Sequence, residues 1–110
     1  MATTYKILGQ SAPADTNNAN LYTVPSSTST VVSTLAIANV TANAVSARVF
    51  ARIGAAAAGI SNAILYDTVI PAYATSFVTI GATLATTDVI TVRSSVASAL
   101  TFTAFGSEIS

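Results

Sequence analysis

Few side chains in this sequence could act as catalytic groups or metal ligands, and those present are not spaced in any known catalytic or metal-binding pattern. Its 110 residues include no histidine, cysteine or tryptophan, and only four acidic and four basic residues. Nucleophilic catalysis needs Ser, Thr, Cys or Lys beside a positioned base. Without histidine, that base would be Lys6 or one of Asp15, Asp67, Asp88 and Glu108. Because no nucleophile-elbow or Ser-x-x-Lys pattern accompanies these residues, the sequence predicts no catalytic residue and a protein that is not an enzyme.

Metal and cofactor sites also lack their usual patterns. The acids lie far apart in the chain, and Asp most often serves in turn or strand-end hydrogen bonding. A Ca²⁺ site takes about six to eight oxygens, usually from an Asp-rich loop, and the sequence has no such loop. Phosphate-binding loops need spaced glycines before a helix, often with a Lys, but Gly54 and Gly59 have neither a third Gly nor a Lys beside them. We therefore expect no metal and no cofactor.

Arg48, Phe50 and Arg52 form the pattern with the clearest functional interpretation. In an alternating strand they share the outer face, so that two cations flank an aromatic ring in a chain that is only 7% charged. Arg and aromatic residues are enriched in protein–protein interfaces, and these three are our candidate interface residues. The alternative is an ordinary solvated strand whose arginine stems cover apolar surface. Nucleic-acid binding is disfavoured because no further Lys or Arg clusters nearby.

The elements that position these residues are predicted to be strands. Segment 45–53 alternates, and the side opposite the arginines carries Val45, Ala47, Val49, Ala51 and Ile53. Short β-rich segments bounded by Gly, Pro, Asn or Ser/Thr turns recur along the chain, at 3–8, 21–24, 31–39, 45–53, 64–70, 75–80, 89–93 and 99–105. This spacing predicts an all-β fold, a single antiparallel β-sandwich of about 7–8 strands, with Ig-like and jelly-roll topologies both open.

The whole chain, residues 1–110, is predicted to be one sandwich domain. Gly, Pro, Asp and Asn collect in segment 9–20, where no periodicity survives. We therefore expect residues 1–20 to form an N-terminal strand followed by a flexible arm that packs against a neighbouring subunit.

Composition points to a protein that works in contact with others. Apolar residues make up 52% of the chain and charged residues 7%, against about 25% charged in typical soluble domains. A surface so poor in charge is weakly protected against self-association. The net charge of zero offers no electrostatic reason for nucleic acid or an anionic membrane as partner. The apolar runs are too short for a spanning helix, and the first residues lack the features of a secretory signal, which predicts synthesis in the cytoplasm.

Five segments carry a resemblance to a known family: 2–10 (ATTYKILGQ), 21–25 (LYTVP), 31–39 (VVSTLAIAN), 84–92 (LATTDVITV) and 105–108 (FGSE). With these, the chain resembles small virion structural proteins of tailed bacteriophages, particularly those of marine and cyanobacterial phages. The resemblance implies a β-sandwich subunit bound in many copies to a particle. It implies a capsid cement or decoration protein, with the major capsid protein or other virion proteins as partners and a homo-oligomer, a trimer by preference. The alternative is a tail, fibre or adaptor component, with a receptor or glycan as a further partner.

Overall fold

The computed structural model describes residues 2–54 and 56–110, which form two four-stranded antiparallel sheets. The strands are β1 (Thr3–Ser11), β2 (Ala19–Thr23), β3 (Ser29–Asn39), β4 (Val45–Arg52), β5 (Ala63–Ile70), β6 (Thr75–Leu84), β7 (Val89–Ser94) and β8 (Leu100–Ile109). A single turn of 3-10 helix, Ile60–Asn62, precedes β5. Each of the eight predicted segments overlaps one strand, so the predicted all-β sandwich is confirmed. Strand β4 ends at Arg52, and Ile53, expected on the inner side, is exposed.

The strand order identifies the topology. Sheet A has the order β1-β8-β3-β6, and sheet B has the order β2-β7-β4-β5. The pairs β1–β8, β2–β7, β3–β6 and β4–β5 are those of one long antiparallel hairpin whose turn lies between β4 and β5. The additional pairs β3–β8 and β4–β7 form when that hairpin is rolled up into two sheets. Eight strands wound in this way are a jelly roll, which decides between the two topologies that the sequence left open.

Alternation along the strands builds the core between the sheets. In β3, Val32, Leu35 and Ile37 are fully buried, while their neighbours face outward. Side chains from both sheets fill the interior, the largest being Phe102, Leu35, Ile37, Ile70, Ile90 and Leu100. Each such burial contributes roughly 1.5–3 kcal/mol relative to an exposed side chain.

The core is less well covered where β5 and β6 form the sheet edges. Leu65, Val78, Ile80 and Ala82 pack against the core but are only partly buried. Sheet edges expose unpaired backbone groups that can pair with another chain. This side of the jelly roll therefore presents half-buried apolar side chains beside two unpaired strand edges.

Two strands run past glycines that the sequence suggests as strand ends. Gly81 lies inside β6 with φ of 56°, at a shift in register with β3 between Val32 and Thr34. Gly106 lies inside β8, where a Cβ atom would overlap the carbonyl oxygen of Val31. Glycine permits the left-handed conformation and the close backbone approach. Glycine, which commonly ends strands, therefore lies inside β6 and β8.

The segment predicted as an arm lies against the sandwich. β1 pairs with β8 along its length, from Thr3 opposite Ile109 to Ser11 opposite Phe102. In the loop that follows, the carbonyl oxygen of Pro13 accepts a hydrogen bond from the backbone N–H of Ser98 at 3.0 Å. Packing of this segment against a neighbouring subunit stays a prediction.

A polar network, buried at Tyr22 and Thr30 and open to solvent at Lys6, joins the two sheets. The hydroxyl of Tyr22 hydrogen-bonds to Thr30 at 2.8 Å and to a carboxylate oxygen of Glu108 at 2.5 Å. The other Glu108 oxygen lies 2.9 Å from the Lys6 ammonium. Burial, reinforced by the bond to Glu108, raises the pKa of Tyr22 to about 12. The hydrogen bond from Tyr22, and then the one from Lys6, hold the pKa of Glu108 below its usual 4.5.

This network predicts a dependence of stability on acid. Because the pKa of Glu108 is lower in the folded than in the unfolded protein, its ionised form stabilises the fold above about pH 4.5. That contribution is lost as the pH falls through the folded value. We expect the free energy of unfolding, measured in urea from about pH 7 to about pH 2.5, to fall less steeply in Glu108→Gln than in the wild type below about pH 4.5. Equal slopes of unfolding free energy against pH in the two proteins would show that these contacts do not stabilise the ionised form of Glu108.

Candidate functional site

The outer face of sheet B carries half of the charged side chains of the protein. A bulge between β4 and β5 brings some of them together. The register of these strands shifts between Ala47 and Val49, so that Tyr66 and Asp67 both stand opposite Arg48. Asp67 adopts a left-handed conformation with φ of 56°, which Asp tolerates better than most residues. The extra residue directs an aromatic ring and a carboxylate to the same guanidinium group.

Arg48 is held on two sides by these residues. Its Nε and Nη2 donate to the two carboxylate oxygens of Asp67 at 2.7 and 3.1 Å. Its guanidinium carbon lies 4.1 Å from the centroid of the Tyr66 ring. The hydrogen bonds raise the pKa of Arg48 and lower that of Asp67. Since the side chains are 26% and 53% exposed, the pair orients Arg48 more than it stabilises the fold.

Arg93 of β7 stands directly opposite Arg48 in the register of the sheet. Like charges in such cross-strand positions are unfavourable. Arg93 Nε donates to the backbone carbonyl of Thr16 at 2.7 Å, and its positive charge contributes to lowering the pKa of Asp67. Asp67 therefore offsets part of the repulsion between the two arginines, while the loop between β1 and β2 fixes the direction of Arg93.

These residues surround an open cleft of about 230 Å³, which we call the Arg48–Arg93 cleft. Its lining consists of Thr16, Ser46, Arg48, Asp67, Arg93 and Ser95. The Oγ of Ser95 accepts a hydrogen bond from the backbone N–H of Ser46 at 2.9 Å, which leaves the Ser95 hydroxyl proton free to donate. The cleft thus combines two guanidinium groups, one carboxylate and three hydroxyl groups.

Arg52 is engaged in the sheet at a separate place. Its Nε donates to the carbonyl of Ala56 at 2.6 Å, and its Nη1 lies 3.2 Å from Asn20 Oδ1 and 3.1 Å from Thr91 Oγ1. The first of these bonds ties the connection between β4 and β5 to the strand. Arg52 does not line the Arg48–Arg93 cleft.

Phe50 differs from its sequence-based expectation. It is absent from the core between the sheets, as predicted for a residue on the outer face, but it is only 3% exposed. The described part of the β4–β5 connection folds back, with Arg52 bonded to Ala56 and Asn62 Nδ2 bonded to the carbonyl of Ala57 at 2.9 Å. The 3-10 turn Ile60–Asn62 within this connection lies close to β4. Phe50 is therefore not presented for contact, whereas an interface role for Arg48 and Arg52 stays a prediction.

The remaining acids have structural partners. Asp15 accepts a hydrogen bond from the backbone of Asn17, and Asp88 accepts from the backbones of Gly54 and Ala85. These are the turn interactions predicted for Asp. Among residues 2–54 and 56–110 no group of three or more acidic side chains is placed to hold a metal ion, and no helix is long and apolar enough to cross a membrane.

Sequence reasoning missed the contribution of Arg93, Asp67, Thr16 and the two serines to the cleft. In the sequence, Arg93 is only the last residue of the predicted strand 89–93. Nothing in the sequence specifies that β7 pairs with β4, or that Arg93 of β7 then lies opposite Arg48 of β4. No protein-family model, no curated protein and no solved structure matches this chain.

Proposed function

We propose that this chain is a structural subunit of a tailed-bacteriophage particle, a capsid cement or decoration protein that stabilises the shell through contacts with neighbouring subunits. The five segments quoted above support the proposal through their resemblance to such proteins. The jelly roll is compatible with it, because viral capsid domains share this fold with lectin domains and cupins. Since a fold alone does not define a function, the proposal depends on the surface.

The observation that carries the proposal is the uncharged outer face of sheet A. Because Leu35 and Ile37 face the core, the residues that alternate with them face outward, and their register partners lie on the same face. The described residues of this face include Tyr5, Ile7, Gln10, Val31, Thr34, Ala36, Ala38, Thr75, Phe77, Thr79, Thr83, Thr101, Thr103, Phe105 and Ser107. None of them is charged. Charge depletion with exposed aromatic residues is typical of the centre of a protein interface.

Strand β6 extends this face to a sheet edge that carries neither a charged residue nor a proline in its ten residues, Thr75–Leu84. Soluble proteins commonly use both to block pairing at edge strands. Phe77 on β6 is 70% exposed. In an isolated domain such an edge would promote aggregation, whereas in a particle a neighbouring subunit would cover it.

Repetition by symmetry explains how weak contacts could suffice. Uncharged contacts of Thr, Ala and Phe side chains give modest affinity individually, but many linked copies raise the overall avidity without any new contact. The proposed partners are the major capsid protein and other copies of this chain, arranged by preference as trimers. In this role the chain has no catalytic residue and needs no cofactor.

The alternative is a tail, fibre or adaptor component that binds a receptor or glycan. Lectin domains also adopt the jelly roll, and Tyr5 and Tyr73 are 83% and 74% exposed, so aromatic surfaces are available. Against a sugar site at Tyr66, the Arg48 guanidinium lies over its ring at 4.1 Å and covers one face. The uncharged face of sheet A favours the cement role.

Copy number in purified particles tests the proposal. Quantitative mass spectrometry against the major capsid protein should find on the order of hundreds of copies in a simple ratio to the shell, as expected for repeated, symmetric contacts. A few copies to a few dozen would favour the tail or fibre role. Absence of the chain from particles would overturn both.

A further inference from the structure

The Arg48–Arg93 cleft has more hydrogen-bond donors than acceptors. Asp67 occupies Nε and Nη2 of Arg48, and Thr16 occupies Nε of Arg93. Neither Nη group of Arg93 hydrogen-bonds to any of the described residues, and Nη1 of Arg48 makes no such bond either. Together with the Ser95 hydroxyl, these Nη groups are hydrogen-bond donors that face the cleft. They could all donate to a ligand that carries hydrogen-bond acceptors.

The charges in the cleft define the ligand. Two guanidinium groups and one carboxylate leave one net positive charge. A monoanion would neutralise that charge, whereas a dianion such as phosphate would also meet Asp67, whose lowered pKa keeps it ionised. The two Nη groups of an arginine form a planar fork that matches the two oxygens of a carboxylate.

The cleft is also organised before any ligand arrives. Arg48 is fixed by Asp67 and by the Tyr66 ring, and Arg93 is fixed through its Nε by the backbone of Thr16. Holding long side chains in place lowers the entropy cost of binding. A ligand that bridges the arginines would also relieve the unfavourable pairing of two cations across adjacent strands.

We propose that the Arg48–Arg93 cleft binds a carboxylate group, which accepts hydrogen bonds from the two Nη groups of Arg93, from Nη1 of Arg48 and from the Ser95 hydroxyl. The carboxylate belongs either to an acidic sugar or to an acidic side chain of a partner protein. This assignment does not depend on the proposed function, since it rests on sheet B and on charge rather than on the uncharged face of sheet A.

Titration of the ¹⁵N-labelled protein with sodium acetate, at constant ionic strength maintained with sodium chloride, tests the proposal by NMR. We expect saturable shifts at the backbone amides of Ser46, Arg93 and Ser95, with a dissociation constant on the order of millimolar. Arg93→Gln should weaken binding by roughly tenfold or more, and Arg93→Lys should restore part of it. Arg52→Gln removes the same charge outside the cleft and should bind acetate as the wild type does.

Sodium glucuronate and N-acetylglutamate α-amide distinguish the two sources of the carboxylate. Tighter binding of glucuronate than of acetate would identify an acidic sugar, and tighter binding of the glutamate compound would identify an acidic side chain. Shifts that do not saturate, that sodium chloride reproduces, or that persist unchanged in a folded Arg93→Gln protein would overturn the proposal. Equal weakening in Arg52→Gln would do the same, because it would show a general effect of net charge.

Discussion

Gly106→Ala is expected to destabilise the protein by about 3 kcal/mol, which lowers the melting temperature by more than about 10 °C in a domain of this size. The added Cβ would overlap the carbonyl oxygen of Val31 and lie 3.0 Å from the Leu8 side chain. Leu8 can adjust at the end of its flexible side chain. The carbonyl of Val31 is backbone in the neighbouring strand β3, so β3 and β8 would have to separate locally.

Gly59→Ala is the matched control for this substitution. Nothing lies within 4 Å of a Cβ atom built at Gly59, and its backbone is extended with φ of −168°. We expect its stability to stay within about 0.5 kcal/mol of the wild type. Urea unfolding and thermal melting followed by circular dichroism would measure both variants. Equal stability of Gly106→Ala and Gly59→Ala would contradict the close approach of the β8 backbone at Gly106 to the β3 backbone at Val31.

The contrast between these two glycines shows where sequence reasoning reaches its limit. Gly106 follows the predicted strand 99–105 and is an obvious strand end on local grounds. In the structure β8 continues to Ile109, because the missing Cβ lets the neighbouring strand approach. Local propensity describes each residue with its own neighbours in the chain, whereas this requirement comes from a strand about 75 residues earlier.

Most of the fold was nevertheless predictable. Alternation in segments such as 45–53, and turn residues such as Pro25 and Pro71, are local signals, and they located all eight strands to within a few residues. The pairing of the strands carries no comparable local signal. For this reason the sequence left Ig-like and jelly-roll topologies open, and the strand order of the two sheets decided between them.

The candidate site was predictable only in part. The outward direction of Arg48 follows from period-two alternation, but its partners depend on register, which a bulge at Tyr66 and Asp67 shifts. The outward direction of Phe50 follows from the same alternation, but its burial does not, because burial depends on contacts with residues that are distant in the sequence. Arg93 joins Arg48 only through the pairing of β7 with β4.

Phe77→Lys is expected to reduce incorporation into particles by tenfold or more, a prediction that depends on the proposed function. Phe77 lies on the edge strand β6 within the uncharged face of sheet A and is 70% exposed. A lysine there would have to be desolvated in any contact that covers the face, and a buried charge without a partner is strongly unfavourable. In the isolated domain the lysine would remain in water, so the free energy of unfolding should change by less than about 0.5 kcal/mol.

Ile60→Lys provides the matched control, because Ile60 is 82% exposed and lies in the β4–β5 connection of the other sheet. It adds the same charge to another highly exposed apolar position away from β6. Particles lacking the chain would be incubated with each purified variant, and the bound copies would be counted by mass spectrometry. Loss of binding for Phe77→Lys alone would locate the assembly contact on sheet A. Equal binding of the two variants would exclude Phe77 from that contact, and equal loss of binding would indicate a general sensitivity to net charge. In either case the uncharged face of sheet A would no longer support the cement role.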